Sequence, residues 1–413
     1  MKRGTIKALS VGCILLSFFL CGLALLPQIV QATNTVTATV TVGGVPFVVA
    51  ITPDGKYAYV PKLNNVAVIS TATNKVTATV NVDGSNGIAI MPNGKYAYVT
   101  SSPGTNGAKN SVKVISTATN KVTATITLGD SPTAVAVAPN NEYAYVTGQG
   151  IVNKVSVGEI SVISTVTNAV TTTVTVGSGP CAVAITPNGE YAYVANEYSG
   201  TVSVINTSKN TVATTVTVGL GPQNVAITPD GAYVYVTNGG NDSVSVINTA
   251  TNTVTTTITG LIQPYGIALT PNGEYAYVTE QDADNRLGLA SVISTATNAV
   301  TSTIPLVPYP YDVAITPNGA YAYIANGSNS TVSVISTSTG TAPTASSSPT
   351  VPEFPAQSLT IMLLVSVIIV LSIVIITKKK AEKSNSTKIS QEKTSNSKNP
   401  TDQPSDIILF SIF

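Results

Sequence analysis

From residue 34 to residue 338 the chain alternates short apolar runs with short polar ones, and it repeats the pattern seven times. The copy at 221–254, GPQNVAITPDGAYVYVTNGGNDSVSVINTATNTV, is the cleanest. Residues 225–228 form a compact apolar run, 233–237 alternate aromatic and β-branched side chains, and 244–247 are a third run of β-formers, so each is predicted to be a strand. Pro229-Asp230-Gly231 between the first two is a turn: Pro presets φ, Asp bonds its own backbone, and Gly accepts positive φ. A threonine-valine segment supplies a fourth strand. Self-similarity at this period decides the architecture before any local assignment does.

The turn recurs at Pro53, Pro92, Pro139, Pro187, Pro229, Pro271 and Pro317, spaced 39 to 48 residues apart. Six turns end in Gly, and the third reads Pro139-Asn140-Asn141, Asn being the next best residue for the left-handed region. A tyrosine pair two residues apart follows each turn, from Tyr57 and Tyr59 to Tyr321 and Tyr323, and takes fourteen of the eighteen tyrosines. Both rings then share a strand face, and so regular a set implies aromatic packing between adjacent sheets rather than ligand stacking. The strand before each turn carries Ala50, Ala89, Ala136, Ala184, Ala226, Ala268 or Ala314 between apolar neighbours, as a strand buried on both faces requires. The segment at 35–42, TVTATVTV, alternates a valine face with a threonine face and belongs at the wetter periphery.

Four strands in each of seven repeats predict an all-β, seven-bladed β-propeller of four-stranded antiparallel blades, in which radial repetition leaves only short edges. The phase supports closure. The chain begins with an outer strand at 35–42 and ends with a third strand at 332–336, so the N-terminal strand should complete the C-terminal blade. A parallel β-helix is the rival fold, but its repeats are shorter and lack these hairpin turns.

Tyr235-Val236-Thr237-Asn238, with Tyr98-Val99-Thr100 and Tyr145-Val146-Thr147 in other units, resembles the YVTN family of β-propeller repeats common in archaeal surface-layer proteins. The resemblance covers about residues 34–340; it implies the propeller fold and a cell-surface setting, and it leaves the activity open. The segments joining the tyrosine strand to the next measure 5, 12, 13, 7, 7, 11 and 7 residues, and all leave one face of the disc. Insertions on one face mark a binding face.

Composition narrows the chemistry. Charged residues make up 9% of the chain and His and Trp are absent, which excludes a Ser-His-Asp triad, a His-ligated haem and the usual zinc sites. The repeats hold ten basic and fourteen acidic side chains, so no nucleic-acid partner is expected. Carboxylate chemistry remains. The richest stretch is Glu280-Gln281-Asp282-Ala283-Asp284-Asn285, where Asp282 and Asp284 are candidate Ca²⁺ ligands, although the spacing is not that of an EF-hand and a solvated acidic loop is the plainer reading. Asn224, Tyr265 and Asp312 open inner strands and could line the channel mouth; with Val48, Ala134 and Ala182 taken as their counterparts, no concentrated polar site is expected. No catalytic residue and no other cofactor is assigned.

Residues 1–32 have the form of a signal peptide: Lys2, Arg3 and Lys7, an apolar run from 8 to 26, and Val-Gln-Ala ending at Ala32. An uncleaved anchor is the alternative, and either exports the repeats. Cys181 is then the only cysteine of the mature chain; without a basic neighbour it is expected to be a small buried residue rather than a reactive thiol. Asn206, Asn241, Asn326 and Asn329 stand in N-x-S/T contexts and are candidate glycan acceptors in an exported chain.

Residues 339–357 are a Thr/Ser/Pro-rich linker, and 358–377 run about 30 Å as an uncharged helix, enough for a membrane span, with Lys378, Lys379 and Lys380 on the cytoplasmic side. Pro352-Glu353-Phe354-Pro355, the span and the lysines resemble the PEF-CTERM sorting signal of archaeal surface proteins, which implies an archaeosortase as partner and removal of the span. A polar tail continues to Phe413 beyond the lysines, within 378–413, so permanent single-pass anchoring is the alternative. The expected protein is a propeller on the extracellular face, a structural, recognition or adhesion module whose partners are envelope or surface-layer proteins or glycans. The alternative is an extracellular Ca²⁺-dependent hydrolase or lactonase-like enzyme.

Overall fold

The computed structural model describes residues 34–104, 109–152, 155–282, 287–337, 375–376 and 378–379. The predicted signal peptide, the linker with its Pro-Glu-Phe-Pro motif and nearly all of the predicted span lie outside them. Among the described residues no helix is long and apolar enough to cross a membrane. Chain contacts divide the protein into two units, 1–343 and 344–413. The described residues of the first form twenty-eight strands, β1–β28 in chain order, in seven four-stranded antiparallel sheets.

Blade five illustrates how the sequence builds a sheet. Its strands are β18 (Pro222–Ile227), β19 (Tyr233–Asn238), β20 (Ser243–Asn248) and β21 (Thr253–Ile258), innermost first. At the first turn Gly231 has φ +75° and Asp230 Oδ1 accepts the Thr228 hydroxyl at 2.6 Å and the Ala232 N–H at 2.9 Å, the local chemistry its residues dictate. Asn141 takes the same left-handed geometry, φ 62°, in unit three. The last sheet orders as β1 (Thr35–Thr41), β28 (Thr331–Ser336), β27 (Tyr321–Asn326) and β26 (Pro310–Ile315), so the N-terminal strand does close the ring.

The core lies between blades. Tyr235, Val244, Val246 and Ile258 of blade five pack against Ile267, Ala276, Val278 and Ile293 of blade six. The closing seam is of the same kind, with Tyr323, Val332 and Val334 against Val49, Ala58 and Ile69. The second tyrosine of each pair is fully buried, whereas the first sits at the strand end and is half-exposed, as Tyr233 is at 39%. The buried ring donates its hydroxyl to an asparagine in the next blade: Tyr235 to Asn298 at 2.6 Å, Tyr193 to Asn252 at 2.7 Å, Tyr323 to Asn74 at 2.7 Å. Tyr277 in blade six finds Asn34, the residue just ahead of β1, at 2.6 Å. The N-terminal segment therefore supplies the seventh member of a ring of inter-blade bonds as well as a strand.

Two expectations are corrected. The outer strands do not keep a clean valine face: a β-bulge shifts the register between Val36 and Ala38, and again between Val246 and Ile247. The first valine of the segment turns outward in consequence, with Val36 at 41% exposure. The bulge hydroxyl is used, Thr37 Oγ1 donating to Val334 O at 3.1 Å and Thr255 to Val246 O at 3.2 Å. The long connections of units three and six are also not simple loops. Their insertions lengthen the hairpins, giving β11 (Tyr143–Val152) with β12 (Val155–Ser164) and β23 (Tyr275–Asp282) with β24 (Leu287–Ser294).

Candidate functional site

Because strands alternate direction, the connections from second to third strand and those entering each inner strand emerge on one face. The channel opens there between the starts of the seven inner strands. Counting back from the shared alanine, the third residue before it forms one ring at the mouth and the second a ring below. This register pairs Tyr265 with Phe47 and Tyr311, not with Val48, and so replaces the alignment expected from the sequence.

The upper ring has two arcs. Tyr265, Tyr311 and Phe47, from blades six, seven and one, form a continuous aromatic edge, with centroids 5.4 Å apart for the T-shaped Tyr265–Tyr311 pair and 5.6 Å for Tyr311–Phe47. Asn86, Thr133, Cys181 and Gln223 make the opposite, polar arc. The lower ring is built from Val48, Gly87, Ala134, Ala182 and Gly266, with two exceptions. Gly266 is sterically required, since a Cβ would lie 2.5 Å from Tyr311 O. The exceptions are Asn224 and Asp312, which meet across the channel: Asn224 Nδ2 donates to Asp312 Oδ1 at 3.3 Å. A concentrated polar site thus exists where the sequence implied none.

Asp312 is 8% exposed. Its Oδ2 accepts the Val49 N–H at 3.1 Å. Burial raises its carboxyl to about 7, and bonds from Val49, Val313 and Asn224 only partly offset that. Glu197, in a 3₁₀ turn (Glu197–Ser199) beyond the fourth tyrosine strand, reaches the same mouth and accepts Gln223 Nε2 at 3.1 Å. The cavity measures about 430 Å³, and among the described residues the charged side chains lining it are Glu197 and Asp312. Burial pushes the Tyr265 phenol up as well.

Cys181 belongs to this ring and has a defined task. In blades two, five and six a threonine at the end of the tyrosine strand bonds into the next inner strand, as Thr237 Oγ1 does to Tyr265 O at 2.6 Å. Blade four has Ala195 there, and the Cys181 thiol instead donates to Pro222 O at 3.1 Å and Gln223 O at 3.3 Å. Burial raises the thiol to about 12, which disfavours the thiolate, and the thiol is a hydrogen-bond donor rather than apolar filler.

The other predicted residues are dispersed. Asp282 ends β23, half-buried opposite Leu287, and Asp284 lies outside the described residues. Glu280 of the same stretch points into the blade, 2% exposed, where Oε2 accepts the Ile262 N–H at 2.6 Å. Among the described residues no group of three or more His, Cys, Asp or Glu is placed to hold a metal. Asn241 and Asn329 are exposed on the mouth face, and Asn206 is half-buried at the opposite one. Asn326 is fully buried, its amide donating to Thr331 at 3.2 Å and Ser333 at 2.9 Å, so only an unfolded chain offers it to a glycan. Sequence reasoning missed the upper ring as a set; the fixed offset from the shared alanine was the signal that would have found it.

Comparison with known proteins agrees with the fold. Residues 153–298 match a family model described as a seven-bladed β-propeller lactonase. That stretch is about a third of the chain and excludes Phe47, Tyr311 and Asp312. Among solved structures, a chain of the Kuenenia stuttgartiensis hydrazine synthase is similar with a TM-score of 0.63 at 22% identity, over 71% of this chain and 96% of that one. At that identity the likeness is one of fold. No curated protein matches.

Proposed function

We propose that this protein is an exported propeller whose mouth face recognises a ligand of the cell envelope, held at the cell surface by its C-terminal segment. The observation that carries this reading is the break in symmetry. Seven copies share their turns, tyrosines and alanines, whereas the mouth positions vary from blade to blade and gather three aromatic rings opposite a polar arc. Aromatic edges with a few convergent polar groups are the chemistry of small-ligand pockets. The lengthened hairpins of blades three and six rise on the same face. The signal-like N-terminus and the PEF-CTERM-like C-terminus support export and anchoring. Binding of the full-length protein to envelope preparations tests the reading: Tyr311→Ala and Gln223→Ala should each reduce retention at least tenfold, and unchanged retention in both excludes the mouth.

A second reading is favoured by the lactonase-model match together with Asp312. A carboxyl near 7 in a cleft is matched to general-base work at neutral pH. In this reading the Asp312 carboxylate takes a proton from water attacking a lactone carbonyl, and the rate rises with pH until it levels above about 7. Hydrolysis of a simple δ-lactone that disappears in Asp312→Asn would favour it over recognition alone; turnover unchanged in that variant would exclude it.

A further inference from the structure

We infer that the channel mouth binds a small organic cation, an ammonium ion seated between the Asp312 carboxylate and the aromatic edge of Tyr265 and Tyr311. This deepens the ligand-binding reading of the mouth and rests on it. The charge inventory is one-sided. Glu197 and Asp312 both face the cavity, and among the described residues no Lys or Arg lines it, so an anion would meet two carboxylates there. Tyr265 and Tyr311, stacked edge to face at the mouth, supply aromatic rings whose faces attract a weakly hydrated cation within about 6 Å.

A divalent metal is a poorer fit. Calcium takes six to eight oxygen ligands, whereas the ring around Asp312 is mostly Val48, Ala134 and Ala182 carbon. An organic cation needs only partial desolvation and one or two acceptors. Asp312 has that capacity: it accepts Asn224 Nδ2 and the backbone N–H groups of Val49 and Val313, and a carboxylate accepts about four bonds, so about one place is left. The cavity of about 430 Å³ is within the range of small-ligand pockets.

The linkage has a defined sign. In the empty site burial holds Asp312 near 7, and a bound cation favours the ionised form, so binding releases a proton and tightens as pH rises to about 7. The groups facing Asp312 are Asn224, Tyr265 and, across the mouth, Glu197; Cys181 stays protonated throughout this range.

Choline is the probe, because its permanent charge removes ligand titration, and 3,3-dimethylbutan-1-ol is its neutral carbon isostere. Calorimetric titration of the full-length protein at pH 8 should show choline binding at least tenfold tighter than the isostere. At pH 5.5 choline should bind at least tenfold more weakly than at pH 8. Asp312→Asn should lose at least tenfold for choline and little for the isostere, and Tyr311→Leu, which leaves every carboxylate in place, should weaken choline about tenfold. Equal affinity for the isostere, no choline binding, or stoichiometric Ca²⁺ that displaces choline overturns the inference. If envelope retention still depends on Tyr311 and Gln223 in any of those cases, the cation class alone fails and the mouth remains the binding site; if that dependence is lost too, both readings fail.

Discussion

The tyrosine ring between the blades and the ring at the channel mouth are both sevenfold positions, yet they are used in opposite ways. Between blades every unit places the same phenol in the same contact, Tyr235 on Asn298 and Tyr323 on Asn74, and even the seam at Tyr277 is completed by Asn34. At the mouth the seven positions hold seven inner-strand starts that agree on little beyond fitting the channel. Repetition is what closure demands, since each blade must present one face and accept its neighbour's. Freedom from repetition is found where the strands face open space and packing no longer dictates the side chain.

The sharpest way to break this contrast is to truncate one ring at each place. Tyr235→Ala should cost about 3–5 kcal/mol, through a cavity and a lost bond, and lower the melting temperature by several degrees. Tyr311→Ala, at a half-exposed mouth position, should cost less than half as much. Equal losses would make the mouth another piece of scaffold.

Asp312→Asn should stabilise the protein, and the pH dependence carries the sign. The folded carboxyl is raised to about 7 from an unfolded value near 3.8, so the folded state binds the extra proton. Wild-type stability therefore falls as pH rises through that window and stays low above it. The variant should gain little at pH 4 and on the order of 4 kcal/mol at pH 8, as seen in melting curves at the two pH values. A pH-independent difference would mean that the carboxyl is not buried as described.

Smaller effects sharpen the closure. Asn298→Ala and Asn34→Ala should each cost about 1–2 kcal/mol, because each leaves a buried phenol without its acceptor. If Asn34→Ala is silent in denaturant titration, the seam is held by β1 alone. Smallest of all, Cys181→Thr should change stability by less than about 1 kcal/mol, because a hydroxyl can donate to the Pro222 carbonyl as the Thr133 hydroxyl does to Pro180 O. In the wild type the thiol should resist a disulfide reagent at pH 8 until the protein is unfolded.

Much of the scaffold was legible because it is local chemistry repeated. Pro229-Asp230-Gly231 can only be a turn of this kind, and the spare outer strand at the start of the chain foretold that β1 would join β28. Less was legible wherever a residue's role depends on its neighbour's register. The bulge after Val36 left no mark on a simple alternation, and the insertions of units three and six read as loops although they pair as strands. At the mouth Tyr265 was misaligned by one residue, which on a strand moves a side chain to the other face, whereas Asn224 and Asp312 were matched with their true counterparts.

The sequence by itself determined the number of blades, their turns, the place of the tyrosines and the way the ring is closed, because each follows from periodicity and from residues adjacent in the chain. Only the tertiary structure decided what the Tyr-Val-Thr-Asn stretch first seen at 235–238 is for. Tyr235 ties one blade to the next, Thr237 holds the next inner strand, and Asn238 donates to Ser243 at 3.1 Å and Ser245 at 3.0 Å within its own blade. It decided, too, that Asn224 and Asp312, 88 positions apart, would face one another. Local propensity has no knowledge of such a pair; it exists because closing seven strands around an axis brings their starts within reach across a narrow channel.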